Sequence, residues 1–312
     1  MEINKSIVHK DLTDSLKGIL ALMIVFSHLS YVTDIYFFSL MNKLGTTVVA
    51  MFFFISGYGL TNSYLTKGAL YLDNFFKRRI LGVFLPMFFV TVIYLLILFS
   101  IHYSFSKNIL YDFFAKGITP LPNTWFVFAL LYFYIFFYTG FRIFRDKRYS
   151  VVFIALLSTI FIILTYNLEY ERSWWIQTYA FVSGIAFRNY DNEWTKFFRK
   201  PLAIIGSFMF VVFMISLHNP KMLVFPYFII PIVVLSILSY LPFPFKNKFL
   251  DFMGNISFEI YLIHGAVIAL LNNTFLYQNL YFFSLVVIIL SIVLAYLFHI
   301  FWNRKINPLL NP

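Results

Sequence analysis

Apolar residues fall along this chain in ten runs, at about 16–33, 45–64, 80–102, 124–141, 150–166, 174–187, 202–217, 223–241, 255–271 and 280–302, with polar residues gathered between them. About 20 apolar residues of helix are needed to cross a bilayer's hydrocarbon core. The pattern therefore predicts an all-α fold, a polytopic membrane helical bundle of about ten transmembrane helices. The fifth to seventh runs are short for a full span, and such segments thin the bilayer or begin among the headgroups. The first run is long and carries no small-residue cleavage site, so it reads as a retained helix rather than a removed signal peptide. With no Gly/Pro/Ser-rich linker in view, one membrane domain over 1–312 is expected, with no appended soluble domain.

The first run is not uniformly apolar. In "DSLKGILALMIVFSH", Lys17 precedes His28 by eleven positions. At 100° per residue eleven steps make about 1100°, roughly 20° past three turns, so the two side chains share a face about 16 Å apart along the axis. Asp14 lies within roughly 40° of that face. Singly, each has an ordinary explanation: lysines snorkel at helix ends, and a membrane histidine bonds a neighbouring helix. A shared stripe of ionisable groups in a lipid-soluble helix points instead to a buried path. A late run carries a second stripe, Ser257, Tyr261 and His264 at i, i+4 and i+7, which serves either as hydrogen-bonding glue between helices or as the lining of a cavity. Glu259, about 200° from Ser257, faces elsewhere.

Charge gives the runs a direction. With the N-terminus inside, Lys43, Lys107, Lys116, Arg172 and Lys221 fall outside, leaving nineteen of the 24 basic residues on the cytoplasmic side. The positive-inside rule then favours two cytoplasmic termini. The net charge of +11 is mostly this bias toward anionic lipid, so nucleic acid is not needed as a partner. Composition agrees: 61% hydrophobic residues, 12% charged ones and a mean hydropathy of +0.81 leave too little polar surface to cover a soluble globule of 312 residues. The absence of cysteine excludes disulfides, thiol nucleophiles and thiolate metal sites. There is no Gly-rich phosphate loop, paired-carboxylate site or His-x-x-x-His pair, and His9, His102, His218 and His299 have no motif-like partners, so no metal is expected.

Five stretches in order resemble the acyltransferase-3 family, bacterial integral membrane enzymes that mostly O-acetylate surface glycans. "DSLKGILALMIVFSH" resembles the family's first helix, with its Arg or Lys eleven before a His and an Asp three before the base. "MFFFISGYGL" is similar to its Phe-Phe-x-x-Ser-Gly-Tyr/Phe element, "FFKRRILGVFLP" to its basic entry to the third helix, "NTWFVFALLYFY" to its Trp-Phe helix, and "MGNISFEIYLIHG" to its Gly-x-x-Ser-x-x-x-Tyr-Leu-x-His signature. One position departs: the second basic residue the family commonly has three after Arg79 is Gly82 here.

The resemblance implies transfer of an acyl group, most often acetyl, from acetyl-CoA as co-substrate to a hydroxyl of a surface or capsular polysaccharide or its lipid-linked precursor, at the bacterial cytoplasmic membrane, with no permanently bound cofactor. Such chemistry needs a cationic cradle for phosphates, a base for the hydroxyl proton and donors for the oxyanion. Lys17, Arg78 and Arg79 suit the CoA phosphates. His28, whose ordinary pKa of about 6.5 fits a base at neutral pH, is the catalytic candidate with Lys17 and Asp14, and it could equally accept the acyl group covalently. Ser56, Tyr58, Trp125, Ser257, Tyr261 and His264 are candidates for the acceptor side, with Gly57 permitting close helix packing. Against a transporter or flippase, only Glu259 among thirteen acidic residues lies well inside an apolar run, and no repeated half is visible.

Overall fold

The computed structural model describes residues 7–8, 10–102, 109–216, 224–240 and 247–310. His9, Lys107, His218 and Lys221, named above, lie outside the described residues. In chain order the α-helices are α1 (Lys10–Leu29), α2 (Tyr36–Lys67), α3 (Leu70–Asp73), α4 (Leu81–Ser100), α5 (Ile109–Lys116), α6 (Trp125–Ile143), α7 (Lys147–Asn167), α8 (Thr178–Asn189), α9 (Asp191–Phe198), α10 (Pro201–Ser216), α11 (Pro226–Tyr240), α12 (Lys248–Asn255), α13 (Ser257–Leu271), α14 (Leu280–Phe301) and α15 (Asn307–Leu310). Among the described residues there is no strand. Two π-helical turns, Phe76–Ile80 and Trp302–Ile306, lead into α4 and out of α14.

Every predicted apolar run holds a helix, but the helices differ in reach. Six spans among the described residues are long and apolar enough to cross a bilayer: Lys10–Leu29, Tyr36–Lys67, Phe76–Ser100, Trp125–Ile143, Lys147–Asn167 and Leu280–Ile306. They become eight if two bent pairs each count as one span, α9 with α10 bent by 90° and α12 with α13 bent by 67°. The other two runs hold α8, of 12 residues, and α11, of 15. At 1.5 Å per residue these reach about 18 and 22 Å, short of a 30 Å core. Large apolar side chains face outward along the long helices, such as Leu96 and Phe99 on α4 and Leu285 and Leu297 on α14. Bands of this size belong in lipid, not water. The chain is a multi-pass membrane protein.

Local signals set several boundaries. Asp146 caps α7 by accepting from the Arg148 backbone N–H at 2.8 Å, and Asn279 caps α14 by accepting from Phe282 at 3.1 Å. Gly68, at φ +66°, ends α2 in the left-handed conformation that costs glycine least. Pro86 and Pro231 sit inside α4 and α11, which membrane helices tolerate.

The chain forms two compact units, one of Met1–Leu16, Thr46–Asp73 and Tyr132–Asn247, the other of Lys17–Gly45, Asn74–Leu131 and Lys248–Pro312. In the first unit α2 crosses α8 at backbone distance. A Cβ on Gly57 would lie 2.3 Å from the Phe181 carbonyl, and one on Gly184 would lie 2.2 Å from that of Phe54. Around this crossing Phe53, Phe133 and Phe181 form a fully buried aromatic cluster, with Phe53 and Phe133 edge to face at 4.9 Å. Basic residues gather at one end of the unit: Arg142 meets Asp73 at 3.5 Å, Lys147 donates to the Asn189 carbonyl at 3.0 Å, and Arg188 donates to Asn62 at 2.9 Å.

In the second unit α13 packs along α14 and against α4, with Phe89 of α4 edge to face on Trp302 at 6.1 Å. Here the buried contacts include polar ones, and these build the site.

Candidate active site

His28 occupies the second half of α1, and its Nδ1 lies 2.6 Å from Nε2 of His264 on α13, the two rings tilted by only 7°. The opposite nitrogen of His264, Nδ1, lies 3.0 Å from the Ile260 carbonyl one turn back on its own helix. A carbonyl only accepts, so His264 Nδ1 carries the hydrogen and donates it. In neutral His264 the Nε2 is then a bare lone pair, and His28 Nδ1 must donate to it. His28 is left with an unprotonated Nε2, and no partner holds that atom among the described residues. His264 is fully buried and His28 half-buried. The pair therefore presents one ring nitrogen, His28 Nε2, whose lone pair no described residue occupies.

The backbone around each ring is fixed. On α1, Ser27 donates to Asn42 at 3.2 Å, and the Val32 carbonyl beyond the helix accepts from Tyr277 at 2.6 Å. Toward the other end, Gly18 lets α1 approach α12 so closely that a Cβ there would sit 2.8 Å from both the Leu250 carbonyl and the Met253 Cβ. On α13, Tyr261 donates to the Asn123 carbonyl and its ring packs 4.9 Å from Phe126. A Cβ on Gly265 would lie 2.9 Å from the Pro122 carbonyl. Asn123 adopts φ +65°, a left-handed conformation that Asn tolerates better than most residues and that aims this loop at α13.

The residues singled out in the sequence fare differently. His28 and His264 come together. Lys17 lies on the same helix as His28, eleven residues or about 16 Å toward its start, and is half-buried, as is Asp14. Arg78 and Arg79 ride on the π-turn Phe76–Ile80, where Arg78 is exposed and Arg79 half-buried. Trp125 opens α6 next to the Asn123 turn, half-buried and edge to face with Phe126. The hydroxyls of the late stripe are occupied: Ser257 donates to the Gly254 carbonyl at 2.8 Å across the bend between α12 and α13, and Tyr261 holds the Asn123 loop. In the first unit Ser56 is half-buried, while the Tyr58 hydroxyl lies 3.1 Å from the Val8 carbonyl and 3.3 Å from Asp191. Tyr58 thereby ties the stretch before α1 to the start of α9.

Three features escaped the sequence reading. Tyr31, one turn beyond His28, stacks on its ring at 5.8 Å and is 70% exposed. His299, which lacked a motif-like partner, pairs with Glu259 through Nδ1 and Oε1 at 2.7 Å. Its Nε2 lies 2.9 Å from Asn303 Nδ2, and Asn307 continues the ladder to Asn303 at 3.3 Å. The available signal was the spacing of four between His299, Asn303 and Asn307, which puts all three on one face of a helix. Among the described residues no group of three or more His, Asp and Glu side chains gathers to hold a metal ion.

A family model described as an acyltransferase domain matches residues 13–300. The chain belongs to the acyltransferase-3 family. The match covers both histidines of the pair and all five motif stretches, so the protein is a membrane acyltransferase. No curated protein and no solved structure matches the chain.

Proposed function

We propose that this enzyme moves an acyl group, acetyl above others, from cytoplasmic acyl-CoA to a hydroxyl of a cell-surface or capsular polysaccharide, or of its lipid-linked precursor, in the bacterial cytoplasmic membrane. The observation that carries this reading is the Nε2 of His28, unpartnered among the described residues, on a ring that His264 holds through Nδ1 inside a chain of acyltransferase kind. That nitrogen takes the acceptor hydroxyl's proton as the oxygen attacks the thioester, or itself attacks the acyl carbon and passes the group on. In either route the C–S bond breaks and CoA leaves as a thiol once it has taken up the proton.

Arg79, with Arg78 and Lys17, holds the CoA phosphates, for which a guanidinium's forked donors are well shaped, and Asp14 flanks Lys17 one turn earlier on the helix. Trp125 offers its ring to the sugar. Ser257 and Tyr261 support the acceptor side by holding α13 against its neighbours, and Ser56 and Tyr58 complete the family pattern from α2. CoA is a co-substrate and not a resident cofactor.

Membranes carrying the chain, supplied with acetyl-CoA labelled in the acetyl group, are expected to release free CoA and to place label on surface polysaccharide. A transporter of glycans would leave acetyl-CoA untouched. Absence of both CoA release and label transfer, with the protein shown to be inserted, would overturn the proposal.

A further inference from the structure

We infer that His264 is the positioning residue that fixes His28 in the tautomer with Nε2 bare, and that it stabilises the imidazolium formed there. The inference rests on His28 being the reacting histidine and assigns its partner a role distinct from acceptor binding. Both ring nitrogens of His264 are already engaged, Nδ1 with the Ile260 carbonyl at 3.0 Å and Nε2 with His28 Nδ1 at 2.6 Å, so none is left to meet a sugar. The chain of bonds has one direction. The carbonyl forces the proton onto His264 Nδ1, which makes Nε2 an acceptor, which forces the proton of His28 onto Nδ1. Near coplanarity of the rings, tilted by 7°, aligns that N–H with the acceptor lone pair.

The arrangement assigns each proton in the acyl-transfer step. His28 Nε2 removes the acceptor's hydroxyl proton while the oxygen bonds to the acyl carbon. His28 becomes an imidazolium whose Nδ1–H still donates to His264 Nε2, a hydrogen bond strengthened by the new charge. As the tetrahedral intermediate collapses, the C–S bond breaks and the Nε2 proton passes to the CoA sulfur, restoring the neutral pair. In the covalent variant the same bare Nε2 attacks the acyl carbon, CoA leaves as thiolate, and His264 stabilises the acylimidazolium through the same bond; the acceptor oxygen then bonds to the acyl carbon as the C–N bond breaks, and the hydroxyl proton passes by way of the freed Nε2 to the thiolate. The role is that of a carboxylate that orients a catalytic histidine, played here by a neutral ring. In a membrane interior the neutral ring avoids burying a second full charge.

The test uses the full-length protein in membranes, with acetyl-CoA as probe and three variants, His264→Phe, His264→Gln and His28→Gln. His264→Phe keeps a ring but removes the acceptor, whereas His264→Gln restores an acceptor oxygen. The expected result is a fall of about 10²-fold in kcat for CoA release in His264→Phe, within the range by which a general base acts, with KM for acetyl-CoA unchanged and recovery to within about tenfold of wild type in His264→Gln. Nitrogen-15 NMR of histidine-labelled protein is expected to show His28 protonated at Nδ1 in the wild type and in a mixture of tautomers in His264→Phe. Equal rates in His264→Phe and wild type, glutamine no better than phenylalanine, or a wild-type His28 protonated at Nε2 would each overturn the inference. Full activity in His28→Gln would remove the reading of His28 as the reacting group, and with it the catalytic meaning of the pair, while the tautomer signal would still decide whether His264 sets the proton's place.

Discussion

Two helix contacts, one in each unit, hold the chain together by opposite means. Where α2 crosses α8, glycines bring backbones together and Phe53, Phe133 and Phe181 fill the space around them. Where α1 meets α13, the contact is a hydrogen bond between two imidazoles. Lipid tails are as apolar as side chains, so helices in a membrane gain by close packing and lose by carrying polar groups that packing does not require. The first contact needs nothing further to explain it. The second retains two costly groups, which is how chemistry marks a membrane interior.

The two contacts break differently. The largest effect is expected at the polar one: His28→Ala should lower acetyl transfer by about 10²- to 10⁴-fold, the usual contribution of a general base, while the protein still inserts and binds acetyl-CoA at wild-type affinity. Loss of insertion would make the histidine contact structural. Next comes the apolar crossing. Gly184→Leu drives a side chain into the Phe54 carbonyl and should destabilise the fold by about 3 kcal/mol, the upper part of the overpacking range. Thermal unfolding in detergent would read this as a lower Tm, and an unchanged Tm would mean that the crossing yields easily.

Further from both contacts, Arg79→Ala is expected to weaken acetyl-CoA binding about tenfold, at the lower end for a charge-assisted phosphate contact, with insertion intact. Equilibrium binding of labelled acetyl-CoA measures it, and unchanged affinity would remove Arg79 from the donor site. The smallest effect belongs to Lys116, which is exposed on α5 and pairs with Asp112 one turn away at 2.8 Å. Lys116→Ala should leave CoA release within twofold of wild type, and a larger fall would place the donor or acceptor near α5.

How far the sequence reached follows from the range of each interaction. Helix positions were readable because apolar runs are local, and the stripe of Ser257, Tyr261 and His264 was readable because helical geometry fixes which residues share a face. The meeting of His28 with His264 was not, since 236 residues separate them and neither periodicity names a partner. For the same reason Glu259 was placed on the opposite face to Ser257, yet the histidine it meets there, His299, went unread. The 67° bend at Ile256 escaped because α12, with Lys248, Asp251 and Asn255 among eight residues, is too short and too polar to register as an apolar run. The contacts of the Tyr58 hydroxyl with Val8 and Asp191 went unread as well, because the order of the chain announces neither partner.

The most direct measurement is of His28→Gln, assayed for acetyl transfer and acetyl-CoA binding on the same membranes. Glutamine keeps the size and the hydrogen bonding of the position but takes no proton at neutral pH. Donor binding equal to wild type with transfer reduced by about 10²-fold or more is the result expected of a reacting Nε2. Transfer near the wild-type rate would contradict it and leave the two histidines as a structural bond between α1 and α13.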